Sequence, residues 1–116
     1  MYDESNIFAK MLRKEIPCKP IYEDDKVFFF NDLNPQAKIH ILAIPKMSVT
    51  DYNDFISKAD KEMIKYCFDK INEIAKRHGL LDSGFRLVTN NGRDANQEVP
   101  HFHIHILGGE NLKGIK

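Results

Sequence analysis

Pro100-His101-Phe102-His103-Ile104-His105-Ile106-Leu107-Gly108-Gly109 is the stretch on which the reading of this chain turns. Three of its five histidines alternate here with apolar residues, and a period of two marks a strand with one buried face. Phe102, Ile104 and Ile106 then point into a core, while His101, His103 and His105 share the opposite face, toward a cleft or solvent. Pro100 before the run and Gly108-Gly109 after it bound a predicted strand from His101 to Leu107.

Working outward, Asn90 to Glu98 reads as a polar loop and Phe85 to Thr89 as the strand before it. Ser57 and Asp60 have capping-box spacing. The apolar stripe Met63, Ile64, Cys67, Phe68, Ile71, Ile74 and Ala75 then predicts a long helix ending at Gly79, after at most a helical turn over Asp51 to Phe55. Ile39 to Ile44 is β-branched and stopped by Pro45, which gives another strand. Asp32 to Gln36, with Asn34-Pro35, is a loop. Ile21 to Glu23 and Lys26 to Asn31 form a hairpin about Asp24-Asp25. Ser5 or Asn6 can cap a short helix from Ile7 to about Lys14, closed by Pro17 and Pro20. The expected class is α+β: a five-stranded antiparallel sheet with one long and one short helix.

The 116 residues fit one domain, 1–116, with a modest core, a size at which a homodimer is common. Seventeen Lys and Arg balance seventeen Asp and Glu, so nothing in the bulk charge marks a duplex nucleic acid or membrane partner. No apolar run reaches bilayer length and no signal-type segment opens the chain. Cys18 and Cys67 form no CxxC and read as reduced thiols, in keeping with a cytoplasmic setting.

Three readings of the histidine run compete. The first is a polar outer face that happens to be rich in histidine. The second is a metal site, but the first and third Cα atoms of the run stand ~13 Å apart at ~3.3 Å per residue, and a two-histidine site would have to recruit His40. The third is catalysis: neutral imidazole attacks phosphorus well, and neighbouring histidines can divide the roles of nucleophile, orienter and donor. The loop Asn90-Asn91-Gly92-Arg93-Asp94-Ala95-Asn96-Gln97 can aim backbone N–H groups and the Gln97 amide at phosphate oxygens, although alone it is an ordinary hairpin loop. Neither GxxxxGK[ST] nor GxGxxG is present.

The sequence resembles the histidine triad family, whose signature of three histidines alternating with apolar residues stands here as His101-Phe102-His103-Ile104-His105-Ile106-Leu107. Phe30 to Ala37, His40 with Ile44-Pro45-Lys46, Glu15-Ile16-Pro17 and Tyr22 to Asp25 are also similar to it, and Gly108-Gly109 looks like the Hint branch of purine nucleoside phosphoramidases. The resemblance implies a homodimer with the sheet continued across it, a purine nucleotide substrate and no cofactor. His103 would attack the α-phosphorus of a phosphoramidate, and water would release a nucleoside monophosphate. His101 and His40 would support the nucleophile's tautomer, and His105 would contact the phosphate or leaving group. Asp32 would accept from the ribose, Leu33, Ile7 and Phe8 would line the base pocket, and Asn90, Asn96, Gln97 and Glu98 would lie along the phosphate and leaving group. Read without the resemblance, His40 is as well a structural histidine, Asp32 a loop cap, and Ile7 and Phe8 core. Where many relatives carry CxxC this chain has Asn6 and Ala9, so no structural zinc is expected. Asn96 stands where Gly is common, and Glu98 where some relatives have Ser or Thr. A dinucleoside polyphosphate hydrolase, or a nucleotide-binding scaffold with little turnover, are the alternatives.

Overall fold

The structure, a computed structural model describing residues 1–114, builds its sheet from β1 (Tyr22–Glu23), β2 (Val27–Asn31), β3 (Ile39–Pro45), β4 (Phe85–Val88) and β5 (Ile104–Gly108). Their order is β1-β2-β3-β5-β4, with every neighbouring pair antiparallel. The α+β class and the five-stranded sheet are as the sequence predicts.

Asp24 explains the first turn. Its Oδ1 accepts the Lys26 and Val27 N–H groups at 2.7 and 2.9 Å, and its Oδ2 accepts the hydroxyls of Tyr22 and, from the long helix, Tyr66. Burial works against its charge, but these four donors outweigh burial and hold the carboxyl at about 2.

Among the described residues there are four α-helices, more than the one long and one short helix expected. Asn6, not Ser5, caps α1 (Ile7–Leu12), accepting the Ala9 N–H at 2.9 Å. The turn expected over Asp51 to Phe55 is a helix of its own, α2 (Tyr52–Lys58), and the long helix, expected from near Ser57, starts later as α3 (Lys61–Arg77). Ser57 lies in the last turn of α2, Ala59 is extended, and Asp60 is itself the cap of α3, accepting from Met63 at 2.8 Å. Asp51 caps α2 in the same way. Gly79, at φ 71°, turns the chain in the left-handed region after α3, and a further turn, α4 (Leu80–Ser83), follows it. A Cβ on Gly108 would stand 2.8 Å from a Leu80 methyl, so any side chain there requires the Leu80 side chain to shift.

Register assigns the faces. Phe29↔Ala43, Ile41↔Ile106 and Ala43↔Ile104 place these side chains together on the face covered by Phe55 of α2 and by Cys67, Ile71 and Ile74 of α3. Phe102 joins this core, stacked on Phe55 with ring centroids 4.6 Å apart. Phe68, read from the stripe as core, is 44% exposed. On the opposite face Phe28, Phe30, Leu42 and Ile44 pack against Phe8 and Met11 of α1. That second, smaller core leaves part of the sheet uncovered, and the site lies there. Among the described residues no helix is long and apolar enough to cross a membrane.

Candidate active site

The pairs Leu42↔His105 and His40↔Leu107 place His40 and His105 on the α1 side of the sheet, one step apart diagonally. Their rings meet with His40 Nε2 2.8 Å from His105 Nδ1. His103 lies just before β5, where the Thr89 hydroxyl donates to its carbonyl at 2.8 Å. Its ring stands edge-on to Phe8 at 5.1 Å and to His105 at 5.2 Å.

Main-chain partners fix the tautomers, because a carbonyl can only accept and an amide N–H can only donate. His103 Nδ1 lies 2.7 Å from the His101 carbonyl, so Nδ1 carries the proton and Nε2 keeps its lone pair. The Gln36 N–H donates to His40 Nδ1 at 2.9 Å, so the proton of His40 sits on Nε2 and is donated to His105 Nδ1. His105 therefore carries its own proton on Nε2. The two rings end in opposite states, one bare and basic, the other an N–H donor.

Burial makes these neutral forms persist. It pushes His105 down to about 4, with the neighbouring His103 and His40 adding to the effect. It lowers His103 as well, despite the opposing pull of the His101 carbonyl and of the carboxylates of Asp32 and Glu98. His40 is lowered by burial against Asp32, whose Oδ2 is 3.4 Å from Nε2. Protonating His40 would also set an N–H against the Gln36 N–H, which gives the same direction.

A cavity of about 420 Å³ opens beside these rings. Its wall contains His40, His103 and His105, and also Ile7, Phe8, Asp32, Leu33, Asn90, Asn96 and Glu98, all singled out in the sequence. Asp32 combines two readings: its Oδ1 caps the loop by accepting from Asn34 at 2.8 Å, and its Oδ2 faces the His40 edge of the cavity. Leu33, 98% exposed, stands at the rim. Asn96 adopts the left-handed conformation at φ 56°, which Asn tolerates better than most residues and which explains why Gly suits the position. Met11, Phe30, Leu42 and Gln36 also line the wall, with Asn34 and Val99, and were not among the expected site residues. Helical spacing from Ile7 and Phe8, and strand spacing from Asp32 and His40, would have found the first three.

Three expectations are corrected. His101 does not share the open face: it precedes β5 and is fully buried, with Nε2 donating to the Pro45 carbonyl at 2.8 Å. Burial holds this ring at about 4. Nor do the rings of His101 and His40 set the tautomer of His103; the main-chain carbonyl of His101 does. Gln97 lies outside the cavity wall, its amide spent on fixing the loop. Its Nε2 donates to the Thr50 and Val99 carbonyls at 2.8 and 3.0 Å, and its Oε1 accepts the Gly92 N–H at 2.9 Å.

Asp32, His40 and His105 offer donor atoms within 4.8 Å of one another, a geometry that could gather a metal ion. The protons argue against it. A metal on His40 Nε2 would drive the His40 proton onto Nδ1, directly against the Gln36 N–H. The arrangement suits neutral imidazoles acting on an electrophile.

Comparison with known proteins agrees. The model of the HIT domain matches residues 13–112. A histidine triad protein from Clostridium difficile superposes with a TM-score of 0.86 at 43% identity, covering 100% of both chains. A HIT family hydrolase from Legionella pneumophila gives 0.86 at 36% identity, covering 92% of this chain and 95% of the other. The purine nucleoside phosphoramidase of Escherichia coli K12 is 39% identical over 109 residues, 94% of this chain and 91% of that one. With the histidine run, the fold and the cavity in agreement, the chain belongs to the HIT family and is one of its hydrolases.

Proposed function

We propose that this protein hydrolyses a purine nucleoside phosphoramidate through a nucleotidyl-His103 intermediate and releases a nucleoside monophosphate. The observation that carries the reading is the bare Nε2 of His103, held by the Nδ1–H bond to the His101 carbonyl beside the cavity. In the first step Nε2 forms a bond to the α-phosphorus and the P–N bond breaks. Its electron pair stays on the nitrogen, which takes one proton from solvent in the open cavity. His105 Nε2–H donates to a phosphate oxygen as negative charge gathers there. In the second step water attacks phosphorus, the P–Nε2 bond breaks, and His103 returns neutral as the protons leave to solvent. Asp32 meets the ribose hydroxyls, Ile7, Phe8 and Leu33 the base, and Asn90 and Asn96 the phosphate.

Charge favours an amine over a polyphosphate as leaving group. Among the described residues the cavity wall holds two carboxylates, Asp32 and Glu98, and neither Lys nor Arg, so a departing polyphosphate would meet like charge there. Rapid-quench mass spectrometry with an adenosine phosphoramidate tests the mechanism: a nucleotide adduct on His103 is expected, and none in His103→Ala. Undiminished turnover by His103→Ala would refute it. Tight AMP binding without turnover of any phosphoramidate would instead favour a scaffold. Glu98→Gln should raise the ratio of diadenosine polyphosphate to phosphoramidate kcat/KM, and an unchanged ratio would remove the charge argument.

A further inference from the structure

We infer that Tyr2 is a positioning residue for the nucleophile. This rests on the reading of His103 as the attacking group. The Tyr2 hydroxyl lies 2.5 Å from His101 Nδ1, across 99 positions of sequence. The proton of His101 is on Nε2, because that nitrogen faces the Pro45 carbonyl; Nδ1 therefore accepts, and the tyrosine hydroxyl donates. The ring of His101 is thus bonded at both nitrogens. It is also held edge-on by the Tyr2 ring at 5.6 Å and by Phe8 at 6.3 Å. Its own N–H donates to the Val99 carbonyl at 2.8 Å. What all this holds still is the residue whose carbonyl receives the Nδ1–H of His103 at 2.7 Å.

That carbonyl matters most during the reaction. As Nε2 bonds to phosphorus the ring gains positive charge, and the Nδ1–H···O=C bond becomes charge-assisted. An interaction that strengthens on the way to the transition state raises the rate of the chemical step and leaves ground-state binding nearly unchanged. Without the hydroxyl, the buried Nδ1 lone pair of His101 has no donor, and the ring must turn or shift to find one. The attached carbonyl moves with it. The same amino-terminal segment leads through the Asn6 cap into α1, which carries Ile7, Phe8 and Met11 to the cavity.

Tyr2→Phe removes the hydroxyl and keeps the ring. Adduct formation on His103 in a single turnover should slow about tenfold, the Kd for AMP should stay within twofold, and the His103 Nδ1 proton should move in the imidazole NMR spectrum. A purely structural tyrosine would lower Tm and leave the rate at 25 °C and that proton unmoved, and this result overturns the inference. Nitrogen-15 NMR of the unaltered protein decides independently of whether the variant folds. His101 must be the Nε2–H form with Nδ1 accepting, and an Nδ1–H form overturns it. His103→Ala run alongside separates the two failures: if it is active the nucleophile is misassigned, and if it is dead while Tyr2→Phe is normal only the positioning role falls.

Discussion

Replacing His40 by Ala removes the donor that holds His105 in its Nε2–H form. In the native chain the Gln36 N–H, 2.9 Å from His40 Nδ1, obliges His40 to donate from Nε2 across 2.8 Å to His105 Nδ1. Once that donor is gone, His105 can shift its proton to Nδ1 and turn a lone pair toward the phosphate it should be donating to. A hydrogen bond to a charged group is worth about 1.5–3 kcal/mol, so the chemical step should slow by about 10- to 150-fold. The Gln36 N–H also loses its acceptor, at about 1 kcal/mol of stability, which lowers Tm by about 4 °C at this chain length. Single-turnover rates with an adenosine phosphoramidate measure the first effect and calorimetry the second. His40→Gln carries an amide N–H near the place of the lost Nε2–H and should recover much of the rate while leaving the Gln36 N–H without its acceptor. A His40→Ala rate within twofold of the native one refutes the tautomer reasoning, as does a His40→Gln variant equally slow as the alanine.

Stability should depend on pH through the buried histidines. Burial holds His101 and His105 at about 4, below the ordinary 6.5. Below pH 6.5 the unfolded chain takes up protons that the folded one refuses; stability fully present above 6.5 is therefore lost as pH falls toward 4, at up to about 1.4 kcal/mol per pH unit for each ring. Urea midpoints at pH 7.5, 6 and 5 should decline in that order, and equal midpoints would refute it. We also propose that the chain pairs with a second copy along β4. This strand ends the sheet, and its Arg86 carries a buried Nη1 with no hydrogen-bond partner among the described residues. Light scattering should then give twice the 13.5 kDa chain mass, and a monomer at micromolar concentration would refute the pairing.

How much was legible follows from how local each signal is. Alternation placed His103 and His105 opposite Ile104 and Ile106, because a strand's faces are decided within a few residues. At His101 the rule found the side but not the burial: its ring lies near Phe8 as that of His103 does, but Tyr2 and the Pro45 carbonyl enclose it, and both are tertiary contacts. The start of α3 was legible in principle: Asp60 is a cap residue in its own right, but its capping-box spacing from Ser57 suggested that the helix starts a turn earlier. Gln97 was misplaced because an amide in a loop can serve a ligand or the loop equally, and only the positions of Thr50, Val99 and Gly92 choose between them. Tyr2 left no trace at all. Its partner lies at the other end of the sequence, and no periodicity spans that distance.

The partners of His103 suit the nucleophilic role proposed for it. Where a histidine serves as a base, a carboxylate behind it stabilises the cation it becomes and raises its affinity for protons. A histidine that must itself attack has the opposite need: it has to arrive unprotonated, yet tolerate positive charge once bonded to phosphorus. A carboxylate in contact with Nδ1 would meet the second demand and compromise the first. The His101 carbonyl meets both, because it fixes the proton on Nδ1 and strengthens its bond as charge develops, while burial outweighs the upward pull it exerts on the ring's pKa. Asp32 and Glu98 act on His103 only through space, and burial outweighs them. A carbonyl cannot change its protonation state, but it can move with its backbone, so the device depends on how firmly residue 101 is held. Burial, the bond to Pro45 and the tyrosine at position 2 all act on that one residue.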